Sequence, residues 1–299
     1  MMRPWRNRLV ASMTAAALLA AMPVVALQLV HSERSLYRQV LVYEEAGTRC
    51  LCFTRNCTIG RQSCIEMAQP DKLVFDYAHL MLSSLFLVPR PANVLIIGLG
   101  GGTLPRALAK ILPGTAIDVV EIDPAVVSVA RRYFRFAPGP NGQVFEEDGR
   151  TYVRRARREG KSYDLIMLDA YDHEYIPEHL LTQEFLREVR ALLKPGGIVA
   201  ANTFSSSRLY DNESVTYRSV FGDFYNLRHN NRIILASNGP LPALATIQQN
   251  SAPLTAAFAG LGFSADEQLR SFSTAVDWNP QARVLTDQYS PANLLNSAP

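Results

Sequence analysis

Hydrophobic positions along the chain fall into distinct regimes. From Leu9 to Val30 the sequence runs for about 22 residues without a charge, long enough to cross a hydrocarbon core about 30 Å thick. From Ser35 to Ile65 the pattern is strand-like: Leu36, Val40 and Val42 fall at even spacing, and LVY and CLCF are β-rich runs separated by Gly47. This predicts a small antiparallel β region. The segment from Phe75 to Leu87 is apolar at helical spacing and links that region to the rest.

Beyond Pro89 and Pro91 strands and helices alternate. NVLIIG, AIDVVEI, QVFEE, YDLIMLD and IVAANTF read as strands; TLPRALAKIL, PAVVSVARRYF, RTYVRRARRE and TQEFLREVRALL read as the helices between them. YNLRH and RIILAS follow as a hairpin through Asn230-Asn231, then a helical stretch around Leu254 to Leu261. Buried runs alternating with helices predict an α/β fold with a mostly parallel, Rossmann-like sheet. The division expected is 1–30 as a leader, 31–74 as the β region and 75–299 as the α/β domain.

Charge sharpens the first of these segments. Of the 30 Lys and Arg, Arg3, Arg6 and Arg8 precede the apolar run, and the 27 that remain match the 27 Asp and Glu. A cationic start before an apolar run sends the following chain across a membrane. Val24 and Ala26 stand at the −3 and −1 positions of a small-residue cleavage site. A cleaved signal and a retained single-pass anchor both fit, and the rival is a buried N-terminal helix of a cytoplasmic protein. The expectation is an exported domain, periplasmic or anchored in the inner membrane, with a cytoplasmic position as the alternative.

All four cysteines, Cys50, Cys52, Cys57 and Cys64, lie in RCLCFTRNCTIGRQSC. Behind an export signal such a cluster reads as two disulfides. A hairpin folded near Cys57 sets Cys50 across from Cys64 and leaves Cys52 to Cys57. The rival is a zinc site, although intervening gaps of one, four and six residues depart from the usual two to four.

Candidate chemistry gathers at the carboxyl ends of the predicted strands, where open α/β sheets bind ligands. Gly98-Leu99-Gly100-Gly101-Gly102 follows the first strand and leaves room for a ligand at a helix N-terminus. Glu121 ends the second, at the distance where an acid accepts hydrogen bonds from ribose hydroxyls. Asp148-Gly149 follows the third, Asp169 ends the fourth, and Asp172 stands three residues on. Each acid has an ordinary alternative, Asp148 as a helix N-cap and Asp169 and Asp172 as turn residues. Their recurrence at successive strand ends argues for a site.

These residues carry a resemblance. VLIIGLGGG, VEIDPAVV, EEDGRTYV, YDLIMLDAYD and LLKPGG resemble the motifs of the spermidine synthase (polyamine aminopropyltransferase) family, a branch of the class I methyltransferase-like fold. The similarity runs from Ser35 to about Ser237 and includes SLYRQVLVY and Tyr77. It implies that Glu121 holds the ribose, Asp148 the adenine amino group, Asp169 deprotonates the attacking amine, and Asp172 and Tyr77 hold the polyamine. It implies decarboxylated S-adenosylmethionine, or S-adenosylmethionine, as co-substrate, a small amine as the other substrate and no metal.

Departures from the family pattern accompany it. Gly101 stands where the family carries an aspartate, Arg38 where it carries a glutamine, and Ala78-His79 follow Tyr77; Tyr225 or Asn226 is nearest to the family's late tyrosine. A lost carboxylate and a gained cation favour an anionic group there, which keeps methyl transfer from S-adenosylmethionine as an alternative. An exported, non-catalytic binding or scaffold protein that retains the fold is another, since adenosyl sulfoniums are made and used in the cytoplasm. Arg154, Arg155, Arg157 and Arg158, flanked by Glu146, Glu147 and Glu159, read as a solvated face rather than a nucleic-acid patch. His79, His173 and His179 form no metal spacing. LTDQYSP near the C-terminus resembles a tail of exported or membrane-linked spermidine-synthase-like proteins. A homo-oligomer stays open.

Overall fold

The computed structural model describes residues 27–58, 60–170, 177–204 and 208–296. Most of the leader, with its arginines and cleavage site, and Asp172 and His173 lie outside them. Among the described residues no helix is long and apolar enough to cross a membrane.

The first sheet is antiparallel in sequence order: β1 (Gln28–Arg34), β2 (Gln39–Glu45), β3 (Thr48–Cys52) and β4 (Arg61–Glu66). Two expectations shift here. Gln28, Leu29 and Val30, counted with the leader, belong to β1, where Gln28 and Leu29 pair with Glu44 and Tyr43. Leu36 is no strand residue; it is 99% exposed, because the Ser35 hydroxyl accepts the Tyr37 and Arg38 N–H groups and turns the chain. Val40 and Val42 are buried as their alternation predicts, and Leu41 faces the other side.

Both faces of this sheet are covered. Val40, Val42, Leu51 and Ile65 pack on one side, while Leu41 and the four cysteines form a cluster on the other. Cys50 and Cys64 are cross-strand partners and form one disulfide; Cys52 and Cys57 form the second, the pairing a hairpin predicts.

The second sheet holds the alternating units: α1 (Asp76–Leu82), β5 (Asn93–Ile97), α2 (Thr103–Ile111), β6 (Ala116–Glu121), α3 (Pro124–Tyr133), β7 (Gln143–Glu146), α4 (Gly149–Arg158), β8 (Tyr163–Leu168), α5 (Gln183–Leu192), β9 (Leu193–Phe204), α6 (Leu209–Phe221), β10 (Phe224–Arg228) and β11 (Asn231–Ser237). Strand order is β10-β11-β9-β8-β5-β6-β7, parallel from β9 to β7, with β11 and β10 added antiparallel. The apolar runs of β5 and β8 become interior strands buried on both faces.

Local signals set the boundaries. Asp123 caps α3 ahead of Pro124, Asp148 caps α4 and Thr182 caps α5. β9 starts earlier than expected, at Leu193, and its Pro-Gly-Gly is accommodated as an irregularity: Tyr163 pairs with Leu193, but Leu165 with Ile198. Two cores flank the sheet. One joins α1 and α2 to the C-terminal aromatics Phe258, Phe263 and Phe272; the other gathers α4, α5 and α6. The first sheet docks through α3, with Ala125, Val126, Val129 and Phe134 beneath Val40 and Val42. It thereby roofs the carboxyl ends of β5 and β6.

Candidate active site

The glycine turn is set by how closely strand ends approach. Gly98 has φ +101°, and a Cβ there would lie 2.2 Å from the Asp169 carbonyl oxygen. Only glycine fits between the ends of β5 and β8. The Gly98 N–H donates to Val120 O and the Asp169 N–H to Ile97 O, both at 2.8 Å, so three strand ends are held in register.

Gly101 is also confined, but by the other sheet. Its N–H donates to Ser63 Oγ of β4 at 2.9 Å, and a Cβ would meet Ser63 Cβ at 2.8 Å and Phe134 Cδ1 at 3.0 Å. The position where the family pattern has an aspartate therefore has no room for a side chain. Ser63 stands there instead.

Glu121, at the end of β6, points back over the turn. Its Oε2 accepts the Leu99 N–H at 3.0 Å and its Oε1 the Asp123 N–H at 3.1 Å. Burial raises its carboxyl above the ordinary range against those two bonds. Asp148 serves in two capacities. Its Oδ1 accepts the Thr151 N–H at 2.9 Å as the α4 cap, and its Oδ2 faces His179 Nε2 at 2.7 Å. Despite partial burial, these partners hold it at about 2. Gly149 beside it tolerates no Cβ, which would lie 2.6 Å from Ile97 Cγ2.

At the other end of the cavity Asp169 caps β8. Burial raises its carboxyl to about 7, opposed by hydrogen bonds from Asn202 and Tyr77. Asn202 Nδ2 donates at 2.9 Å, and Asn202 Oδ1 in turn accepts from Asn231 Nδ2 at 3.0 Å. The Tyr77 hydroxyl comes from the start of α1, and burial beside Asp169 keeps it protonated. An ionisable carboxylate near neutrality, oriented by an amide and a phenol, is equipped to take a proton.

A single cavity of about 590 Å³ joins these groups: Tyr77, Gly98, Gly100, Glu121, Asp148, Gly149 and Asp169 all line it. Ser63, Asn202, Asn231 and His179 line it too. Ser63 and Asn202 carry no signal of their own in the sequence, Asn231 figures there only in a hairpin turn and His179 only as a histidine without metal spacing; no local motif marks them, since each is brought in by strand pairing or a distant turn. Arg38 also lines the cavity, its guanidinium 4.3 Å from the Phe53 ring centroid and close enough to favour the Glu121 charge.

The other residues singled out in the sequence are engaged outside this group. The Tyr225 hydroxyl donates to Pro242 O, and Asn226 binds the buried Arg232, so neither serves as the late tyrosine. His79 stacks on Phe263 at 4.4 Å. Arg155 is paired with Glu147 and Glu159, and Arg154 with Glu188. Among the described residues no group of three or more His, Cys, Asp or Glu is arranged to hold a metal.

Comparison with known proteins bears on the family and the fold. The family model described as the spermine/spermidine synthase domain matches residues 76–226. A polyamine aminopropyltransferase of Vibrio vulnificus is 45% identical over 272 residues, covering 89% of this chain and 91% of that protein. Among solved structures, a spermidine synthase in complex with the transition-state analogue AdoDATO shares the fold, with TM-score 0.61, 20% identity and coverage of 83% and 84%. Human methyltransferase-like protein 13 in complex with SAH aligns with TM-score 0.54 and 25% identity over 69% of this chain and 96% of that one.

Proposed function

The chain belongs to the spermine/spermidine synthase family, and on that premise we propose that it is a polyamine aminopropyltransferase, moving the aminopropyl group of decarboxylated S-adenosylmethionine to an amine such as putrescine. The observation that carries this reading is Asp169, a carboxyl at about 7 on the cavity wall, oriented by Asn202 and Tyr77. Aliphatic amines are protonated near neutrality, with values around 10, and attack only after losing that proton. Asp169 accepts it. The amine lone pair then forms a C–N bond at the carbon beside the sulfonium, the C–S bond breaks with its electrons going to sulfur, and methylthioadenosine departs.

The remaining residues bind. Each Glu121 oxygen accepts one backbone N–H and keeps a lone pair for a ribose hydroxyl. Asp148, ionised at any working pH, suits the adenine amino group. Asp172 is the acid we assign to the cationic far end of a diamine, on the strength of its position after Asp169. Methyl transfer and a non-catalytic role are not favoured when a relative so similar over nine-tenths of the chain is an aminopropyltransferase.

Location is a separate proposal. We infer that the folded domain lies outside the cytoplasm, which requires its adenosyl donor to reach it from there, supported by the charge-free run behind three arginines and by the two disulfides. Four thiols reactive in freshly lysed cells would refute it. For the reaction, the full chain is assayed with the decarboxylated donor and putrescine. Asp169→Asn abolishes turnover and leaves methylthioadenosine affinity nearly unchanged, whereas Glu121→Gln weakens that affinity about tenfold. No transfer to any diamine by the wild type would overturn the assignment.

A further inference from the structure

The end of the chain grips the wall of the site from outside. We propose that the C-terminal tail, through Asp287, is a positioning element of the nucleoside site that holds the Pro177–Leu181 wall against Asp148. The ligand side of this proposal rests on the function above.

The grip is built from a tight turn and one buried guanidinium. Thr286 and Tyr289 exchange backbone hydrogen bonds of 2.8 and 2.9 Å, and the turn between them presents Asp287. Asp287 Oδ1 accepts from Arg150 Nη1 at 2.6 Å and from Thr182 Oγ1 at 2.7 Å, and Oδ2 accepts from Arg150 Nη2 at 2.8 Å. Arg150 is 7% exposed, and its Nε and Nη2 also donate to the two Glu188 oxygens, each at 3.0 Å. Its Nη1 reaches the His179 carbonyl at 3.3 Å.

Arg150 thus ties together the helix that Asp148 caps, the wall that carries His179, and the tail. His179 Nε2 meets Asp148 Oδ2 across the cavity edge at 2.7 Å. A second hold reinforces the first. The Ser290 hydroxyl donates to the Glu178 carbonyl at 3.0 Å, and the Asn293 N–H and side-chain amide both donate to the Glu178 carboxylate at 3.2 Å. Removing Asp287 strips a bidentate partner from the buried cation that holds the His179 carbonyl and takes away the acceptor of the Thr182 hydroxyl.

The test uses the full chain and two variants, Asp287→Ala and the conservative Asp287→Asn, which retains an acceptor for Thr182. Amide exchange at Leu180 and Leu181, whose N–H groups bond to the Pro177 and Glu178 carbonyls, accelerates in Asp287→Ala while β5 and β8 keep their protection. Methylthioadenosine Kd and the donor KM rise about tenfold with kcat at saturation little changed, and Asp287→Asn falls between. If Asp287→Ala fails to fold, Asp287→Asn carries the same readouts. A lowered Tm with wild-type affinity and wild-type exchange at Leu180 and Leu181 overturns the tail's role. Absence of methylthioadenosine binding in the wild type overturns the nucleoside site itself, which is a different failure.

Discussion

Asp169→Asn separates stability from catalysis in a way that depends on pH. The folded carboxyl sits at about 7, against an ordinary value of 3.8, because burial disfavours its charge. A carboxyl raised on folding contributes stability that is complete below its unfolded value and is lost as pH rises through the folded one. Wild type therefore loses stability between pH 4 and pH 7 on account of this group. The amide variant is isosteric and keeps acceptor and donor for Asn202 and Tyr77, but does not titrate. At about 1.4 kcal/mol per unit, the two units between pH 5 and 7 make the variant's gain over wild type about 3 kcal/mol larger at pH 8 than at pH 5. Urea unfolding of both proteins at pH 5, 6 and 8 measures this, and every other titrating group cancels. In the same preparations turnover is lost. A stability difference that is flat with pH, or an active variant, would refute the reasoning that burial tunes Asp169 as the base.

Two further outcomes follow from the close contacts. Gly98→Ala puts a Cβ 2.2 Å from the Asp169 carbonyl at φ +101°; it destabilises the fold by at least about 2 kcal/mol in denaturant titration and displaces Asp169, so that activity falls even in the folded fraction. Replacing Cys50 and Cys64 together by alanine removes a cross-link spanning 14 positions, costing about 3 kcal/mol by thermal or chemical unfolding, and it weakens nucleoside binding because Ser63 is the neighbour of Cys64. Unchanged affinity would dissociate the disulfide from the glycine turn.

The alternating strands and helices from NVLIIG to IVAANTF were legible because buried parallel strands leave continuous apolar runs. The acids were legible because each sits at a strand end, where periodicity locates it to a residue. Asp148 shows the limit of that logic: it is both the helix cap and a cavity residue, so neither reading excluded the other. Asn202 is hidden in IVAANTF as one polar position in a strand, and its meaning appears only when β8 and β9 pair beside Asn231 on β11. Ser63 and Asp287 are harder still. Each acts on residues more than 30 positions away, through pairing of separate sheets or a tail returning to a helix start, and no local pattern encodes such a meeting. Leu36 misled for the opposite reason, since spacing counts apolar positions without seeing that Ser35 turns the chain.

The contact between Ser63 and Gly101 couples the histories of two residues on different sheets. A side chain at 101 can be admitted only by surrendering volume at 63, and a larger residue at 63 can persist only while 101 is bare. Relatives that carry an acid in the glycine turn are then expected to have a smaller or displaced residue on the facing strand, and neither substitution can be transplanted alone. Moving between the two arrangements requires a paired exchange, or a passage through a state in which both positions are small and the roof of the site is loose.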